Sequence, residues 1–261
     1  MVANDLMAWG AIAEPIDSKG LLNPVRCHSI AVKKELLPCT VEVWAATCLV
    51  QLTPYFETLL DPQEHARAAG FKGEKLRQWF VFAHGLLRLI LSAYTGLAPA
   101  SLRFQQHAYG KPHVSGADHV QFSLSHAGPH VLIAVGTEHA MGVDLEIRRH
   151  MPDQDTLVEQ FFSQGERHQY GLLPPERREE AFFNMWTRKE ALLKGIGLGL
   201  MQPLDGFTVS HDSSARVMDG KFQEWTLRHL HINDSLTGAL AVCAPKVDLS
   251  GGVLDFSGLL G

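Results

Sequence analysis

The stretch "AMGVDLEIRR" (Ala140 to Arg149) sets Asp144 and Glu146 two residues apart in an otherwise apolar run. In a strand, residues two apart share a face, so the two carboxylates stand side by side with Cα atoms about 7 Å apart. Further on, "WTRKEALLKGIGLGL" (Trp186 to Leu200) sets Glu190 and Lys194 four apart, on one face of a helix. Trp186, one turn earlier on that stripe, reads as an apolar anchor against the sheet. Two strand carboxylates and a helix glutamate supply hard oxygen ligands of the kind Mg2+ prefers, with positions left for water and a substrate phosphate. A lysine one turn beyond adds a point charge for that phosphate. The same residues also have a plain structural reading. An amphipathic strand exposes its polar face, and an exposed Glu–Lys pair is worth only about 0.3–0.5 kcal/mol.

Composition bounds the setting. The chain has 261 residues, 46% of them hydrophobic, enough for one large domain or two small ones. A formal net charge of −5 argues against a nucleic-acid-coating protein, so any bound anion must be caught by a local cluster. Cys27, Cys39, Cys48 and Cys243 are scattered without a C-x-x-C pair and read as free thiols in a reducing, cytoplasmic compartment. The N-terminus lacks a basic region followed by an apolar one, and no apolar run approaches the ~20 residues of a membrane helix. The histidines include no H-E-x-x-H, and His126 and His130 flank "AGP", which does not suit a helix.

The elements that must position these groups follow from periodicity. Residues 1–40 are irregular, either a wrapping segment or a partly disordered one. "VEVWAATCLV" has strand content. "DPQEHARAAG" carries an N-cap aspartate, Pro62 and Glu64, which predicts a short helix ending at Gly70. A long helix runs from Glu74 to about Tyr94, closed by Gly96, with Leu76, Phe80, Ala83, Leu87 and Ile90 as its buried stripe. "LRFQQHAYGKPHV" reads as strand, turn, strand, and the segment from Val120 to Ile147 as three strands. A second capping box, "SQGE", starts another short helix. A long helix from the "PP" pair to Gly195 follows, then strands around "FTVS", "WTLRHL" and "GALAVCAP". The tail after Pro245, rich in Gly and Leu, is expected to fray. This is an α+β chain in two similar halves, each a small, mostly antiparallel sheet packed with helices. The division is an extension over 1–40, halves over 41–140 and 141–245, the latter with the metal site, and a tail over 246–261.

"YGKP" (Tyr109 to Pro112), "FSLSHA" (Phe122 to Ala127), "GVDLE" (Gly142 to Glu146), "FFSQGE" (Phe161 to Glu166) and "WTRKEALLKGIGLGL" occur in one order along the chain. In that order and spacing they resemble the Sfp-type 4′-phosphopantetheinyl transferases, over roughly residues 40–245. The resemblance implies two halves related by a pseudo-twofold in one chain, hence a monomer. It implies transfer of phosphopantetheine from coenzyme A to a serine of an acyl or peptidyl carrier protein, with release of adenosine 3′,5′-bisphosphate. Asp144, Glu146 and Glu190 would be the ligands of Mg2+, with Mn2+ able to substitute. Glu190, Lys194 and Asp144 would form the catalytic group, with Glu190 as base for the serine and Lys194 on the pyrophosphate. Ser125, His126 and Lys111 would bind the 3′-phosphoadenosine end, and Arg67 and Arg77 phosphate. Glu64 stands where the family carries a lysine. Arg88 reads as packing or an internal salt bridge. Two other functions use part of the same pattern: a Mg2+-dependent phosphodiesterase or nucleotide hydrolase acting on coenzyme A-like substrates, and a non-catalytic relative that only binds carrier proteins.

Overall fold

A computed structural model describes residues 14–16, 19–26, 40–107, 110–197, 202–219 and 222–256. Tyr109 of "YGKP", Leu198 to Leu200, Cys27, Cys39 and most of the 1–40 segment lie outside the described residues. The chain begins with β1 (Glu14–Pro15), β2 (Pro24–Arg26) and β3 (Thr40–Thr47). Helices α1 (Thr53–Glu57), α2 (Pro62–Ala69) and α3 (Glu74–Thr95) come next. They are followed by β4 (Phe104–Gln106), β5 (Pro112–Val114), β6 (Val120–Ala127) and β7 (His130–Thr137). The second half holds β8 (Met141–Ile147), α4 (Gln154–Phe161), α5 (Gln164–Leu172) and α6 (Pro175–Ile196). It continues with β9 (Thr208–Val209), β10 (Val217–Asp219), β11 (Thr226–Asn233) and β12 (Leu236–Val242), and β13 (Asp248–Asp255) closes the chain. None of the described helices is long and apolar enough to cross a membrane.

The two halves repeat one plan. A strand begins at Thr40 or Met141 and a 22-residue helix at Glu74 or Pro175, and a hairpin, β6–β7 or β11–β12, then returns antiparallel to the first strand. In each half a capping box starts the short helix before the long one, Asp61 with Glu64 and Ser163 with Glu166. In each, the box's glutamate is ion-paired to a base at the same position of the long helix, Arg88 or Lys189. Both long helices end on a left-handed glycine, Gly96 and Gly197, which only glycine adopts without steric cost.

Three cores hold these layers. One packs α1 and α3 on β3, β6 and β7, with Phe56, Phe82 and Phe256 edge to face. A second lies under α6, around Phe162, Phe182 and Phe207. The third joins the halves: Val43, Ala45 and Leu132 of one sheet meet Val143, Leu145 and Leu240 of the other. The alternation seen in "MGVDLEI" thus has its purpose, because the apolar members face this shared core while Asp144 and Glu146 face α6.

Four expectations need correction. The described part of the tail does not fray: β13 lies between β1 and β3 in the six-stranded sheet, parallel to β3 from Asp248 to Leu254. Its glycines allow this, since a Cβ at Gly251 would sit 1.8 Å from the Val43 carbonyl oxygen. Leu76 is 50% exposed, in a first turn of α3 that is open to solvent from Glu74 to Leu76. The second long helix passes Gly195 and ends at Gly197. Trp186 stacks on Phe182, one turn earlier in α6, and its ring contact outside the helix is with Phe161 of α4, edge-on, where an anchor on the sheet was expected. The described part of the N-terminal segment wraps: β2 pairs with β13, and Leu22 donates its N–H to His231 of β11.

Candidate active site

Two glycines bring α6 close to β8. A Cβ on Gly142 would lie 2.1 Å from the Ala191 carbonyl oxygen, and one on Gly195 would lie 2.5 Å from the Trp225 ring. This contact sets the last turns of the helix over the acidic face of the strand. Lys194 Nζ lies 2.6 Å from Asp144 Oδ1 and 2.9 Å from Ser125 Oγ, and Ser125 donates to the same carboxylate oxygen at 3.0 Å. Ser125 belongs to β6, so the triad spans the seam between halves. Ser123 and Ser125 also accept the N–H groups of Val143 and Leu145, replacing the backbone ladder that β6 and β8 do not form.

Asp144 is only 5% exposed and its Oδ2 is buried without a partner. Burial raises its proton affinity, opposed by Lys194 and Ser125. Glu146 is pushed up to about 7, by burial first and then by the Asp144 charge, with Glu190 adding to the repulsion. Glu190 is raised by burial and Asp144. Three carboxylates that repel one another in this way are a donor set chemically suited to a hard divalent cation. Their side chains as placed are not gathered: among the described residues no three His, Cys, Asp or Glu side chains form a group that could hold a metal ion. Lys194 provides the charge compensation instead. A cavity of about 410 Å³ opens beside the triad, lined among others by Lys111, Phe122, Ser123, Glu190 and Lys194.

The helix turn carrying Glu190 is fixed from behind. Lys189 is fully buried, ion-paired with Glu166 at 2.8 Å, and donates to the Leu204 and Phe207 carbonyls. Arg188 donates to carbonyls of Ser210 and Asp212. Both residues sit in the motif beside Glu190, and their burial among carbonyl groups was not foreseen from sequence.

The basic candidates divide. His126, at the exposed end of β6, is held below its ordinary proton affinity, first by desolvation and then by the charges of His84, Lys194 and Arg67. Those groups therefore form one basic neighbourhood next to the triad. Lys111 stands at the cavity, with its ammonium bonded to the carbonyls of Met141 and Gly195 at 2.9 Å each. Burial lowers its proton affinity to about 8. Arg77 is placed elsewhere, paired with Glu57 at 2.8 Å and with Glu74. Arg88 is an internal ion-pair residue, bound to Asp61 and Glu64. Sequence reading did not single out His84, whose Nδ1 lies 2.9 Å from Glu64 Oε1. Only its place on the stripe of α3 shared with Arg88 hinted at it.

Comparison with known proteins gives the chain's relatives. Residues 140–244 fit the model of the 4′-phosphopantetheinyl transferase superfamily. The 4′-phosphopantetheinyl transferase HetI of Nostoc sp. is 32% identical over 186 residues, covering 70% of this chain and 78% of that protein. A putative 4′-phosphopantetheinyl transferase of Synechocystis sp. is 28% identical, covering 79% of this chain and 89% of that one. Among solved structures, a holo-[acyl-carrier-protein] synthase of Thermotoga maritima overlaps 41% of this chain and 64% of its own, with 19% identity and a TM-score of 0.34. The class defined by the sequence relatives is that of transferases that load phosphopantetheine onto carrier proteins. The chain belongs to the 4′-phosphopantetheinyl transferase family and is an enzyme of that class.

Proposed function

We propose that this enzyme takes the 4′-phosphopantetheine group from coenzyme A, transfers it to a serine hydroxyl of an apo carrier protein, and releases adenosine 3′,5′-bisphosphate. The observation that supports this reading most is the Lys194–Ser125–Asp144 triad across the seam, with Glu190 and Glu146 beside it. Asp144, Glu146 and Glu190 would hold Mg2+, or Mn2+, and the partnerless buried Oδ2 of Asp144 suits a ligand role. When bound, the metal supplies neutralisation of pyrophosphate charge. Glu190, whose proton affinity is raised, accepts the proton of the incoming serine directly or through a water. Lys194 offers its ammonium to the phosphate that leaves. Ser125 and His126 receive the nucleotide end, and Arg67 adds charge at the exposed rim. With two N–H groups on carbonyls, Lys111 keeps one for ligand. Arg77 takes part only by giving up Glu57 and Glu74. A single chain provides both halves of the cleft, so the active unit is a monomer. The free thiols of Cys48 and Cys243 suit the reducing cytoplasm.

The test is labelling of an apo acyl carrier protein with coenzyme A bearing a fluorophore on its thiol. Fluorescence should move to the carrier with Mg2+ present and stay behind in EDTA. Consumption of coenzyme A with no label on any carrier would indicate the hydrolase instead.

A further inference from the structure

The second half carries a group of basic side chains that the transfer reaction does not use. Leu227 of β11 packs in the core under α6, and the period of two puts His229 and His231 on that same face. The charges of Arg188, on α6, and of Arg148, just past β8, bear on the His229 ring together with that of His231. Among the described residues no ion pair includes any of these four. Arg188 and its neighbour Lys189 are both fully buried, but only Lys189 has a counter-ion, Glu166. Asp212, whose charge reaches Arg188, is exposed and accepts from Ser214. Arg188 gives its η nitrogens to the Ser210 and Asp212 carbonyls, and its Nε is buried without a partner. Arg148 Nε and His229 Nδ1 are in the same condition, so one neighbourhood holds three of the six such side-chain atoms among the described residues. The catalytic carboxylates lie in a different field: the charges acting on Asp144, Glu146 and Glu190 are those of one another, Lys194 and Arg149.

A buried N–H without an acceptor and a buried guanidinium without a counter-ion both cost free energy. Water accepts such bonds but leaves the positive charge uncompensated. A tetrahedral oxoanion supplies oxygens in several directions and the opposing charge at once. We propose that Arg148, Arg188 and His229, the last with its proton on Nδ1, form a binding site for a small tetrahedral oxoanion, phosphate or sulfate, apart from the coenzyme site. Bound there, the anion ties α6 to the outer strand of the second sheet and to the end of β8. It thereby braces from behind the helix turn that carries Glu190, and it takes no part in the transfer itself.

The experiment uses the full chain in a chloride buffer at neutral pH, with potassium phosphate or sulfate added at constant ionic strength. With a dissociation constant of about 1 mM, about 50 mM of either anion should raise the melting temperature of the wild type by about 5 °C and the rise should level off. Arg148→Gln should lose that saturable rise and keep only the gradual one that excluded salts give any protein. Proton NMR of the imidazole rings, with His229 assigned from the spectrum of His229→Gln, supplies the local readout. The His229 signal should move with the same midpoint as the melts in the wild type and stay in place in Arg148→Gln. A His229 signal that does not move in the wild type, or a saturable rise equally large in Arg148→Gln, would overturn the proposal and place the anion elsewhere. Neither result bears on the transferase reading, which is decided by labelling of the carrier.

Discussion

Glu190 and Asp144 occupy the same buried strand-and-helix contact but have different neighbours, and their variants should differ accordingly. Asp144 is tied to Lys194 and Ser125, whereas Glu190 is pressed only by burial and by the Asp144 charge. Glu190→Gln should keep the fold and the melting temperature while lowering transfer by about 10²–10⁴-fold, the usual contribution of a general base. Asp144→Ala should also cost stability, because it leaves Lys194 facing the seam without its carboxylate. Thermal melts of the two variants side by side would show the difference. A separate acid sensitivity comes from His229, whose half-buried ring feels the charges of Arg188, His231 and Arg148 and whose Nδ1 is buried without a partner. Burial and those charges push it down to about 4 from an ordinary 6.5. The unfolded chain therefore takes up this proton at higher pH than the fold does. Stability should be intact above about pH 6.5 and fall as the pH drops toward 4, with a shallower fall in His229→Gln, as urea midpoints at several pH values would record.

The long helix and the strand beneath it meet through glycine, and that contact was hidden in the pattern. "GVDLE" and "LLKG" read correctly as strand and helix, because alternation and a four-residue spacing are local signals. That Gly142 and Gly195 are the points of closest approach depends on the packing of segments some fifty residues apart. Gly142→Ala should push α6 away from β8, lower stability by about 1–3 kcal/mol as overpacking does, and cost activity beyond what the stability loss explains. A denaturation curve paired with kcat/KM at a temperature where the variant is folded would check it. The capping boxes were readable for the same local reason. An internal salt bridge was expected of Arg88, but its partner Glu64, and the Lys189 pair altogether, were not readable, since each glutamate lies more than twenty residues away in another helix. Arg77, read from its motif position as a phosphate ligand, is paired here with nearby Glu57 and Glu74, partners that the motif did not announce.

The molecule is joined by its ends. The N-terminal segment crosses from β11 to β13, and β13 fills the place between β1 and β3. A Gly-rich octapeptide such as "DLSGGVLD" has little strand propensity by itself, which is why the sequence pointed to a loose tail. It becomes a strand because β3 offers an open edge and Leu254 and Phe256 fill the first core. Deleting residues 246–261 should therefore leave insoluble protein or one without a cooperative melt, where a frayed tail would be removed with no effect. The duplicated plan of the halves places Ser125 of one against Asp144 of the other, so chemistry at the seam depends on both halves being held together. Intact-mass spectrometry of an apo acyl carrier protein incubated with this enzyme, coenzyme A and Mg2+ puts the whole arrangement to work at once. The account predicts a mass gain of one phosphopantetheinyl group with the wild type and almost none with Glu190→Gln. A full gain with Glu190→Gln, or no gain with the wild type on any carrier while coenzyme A is consumed, would contradict it.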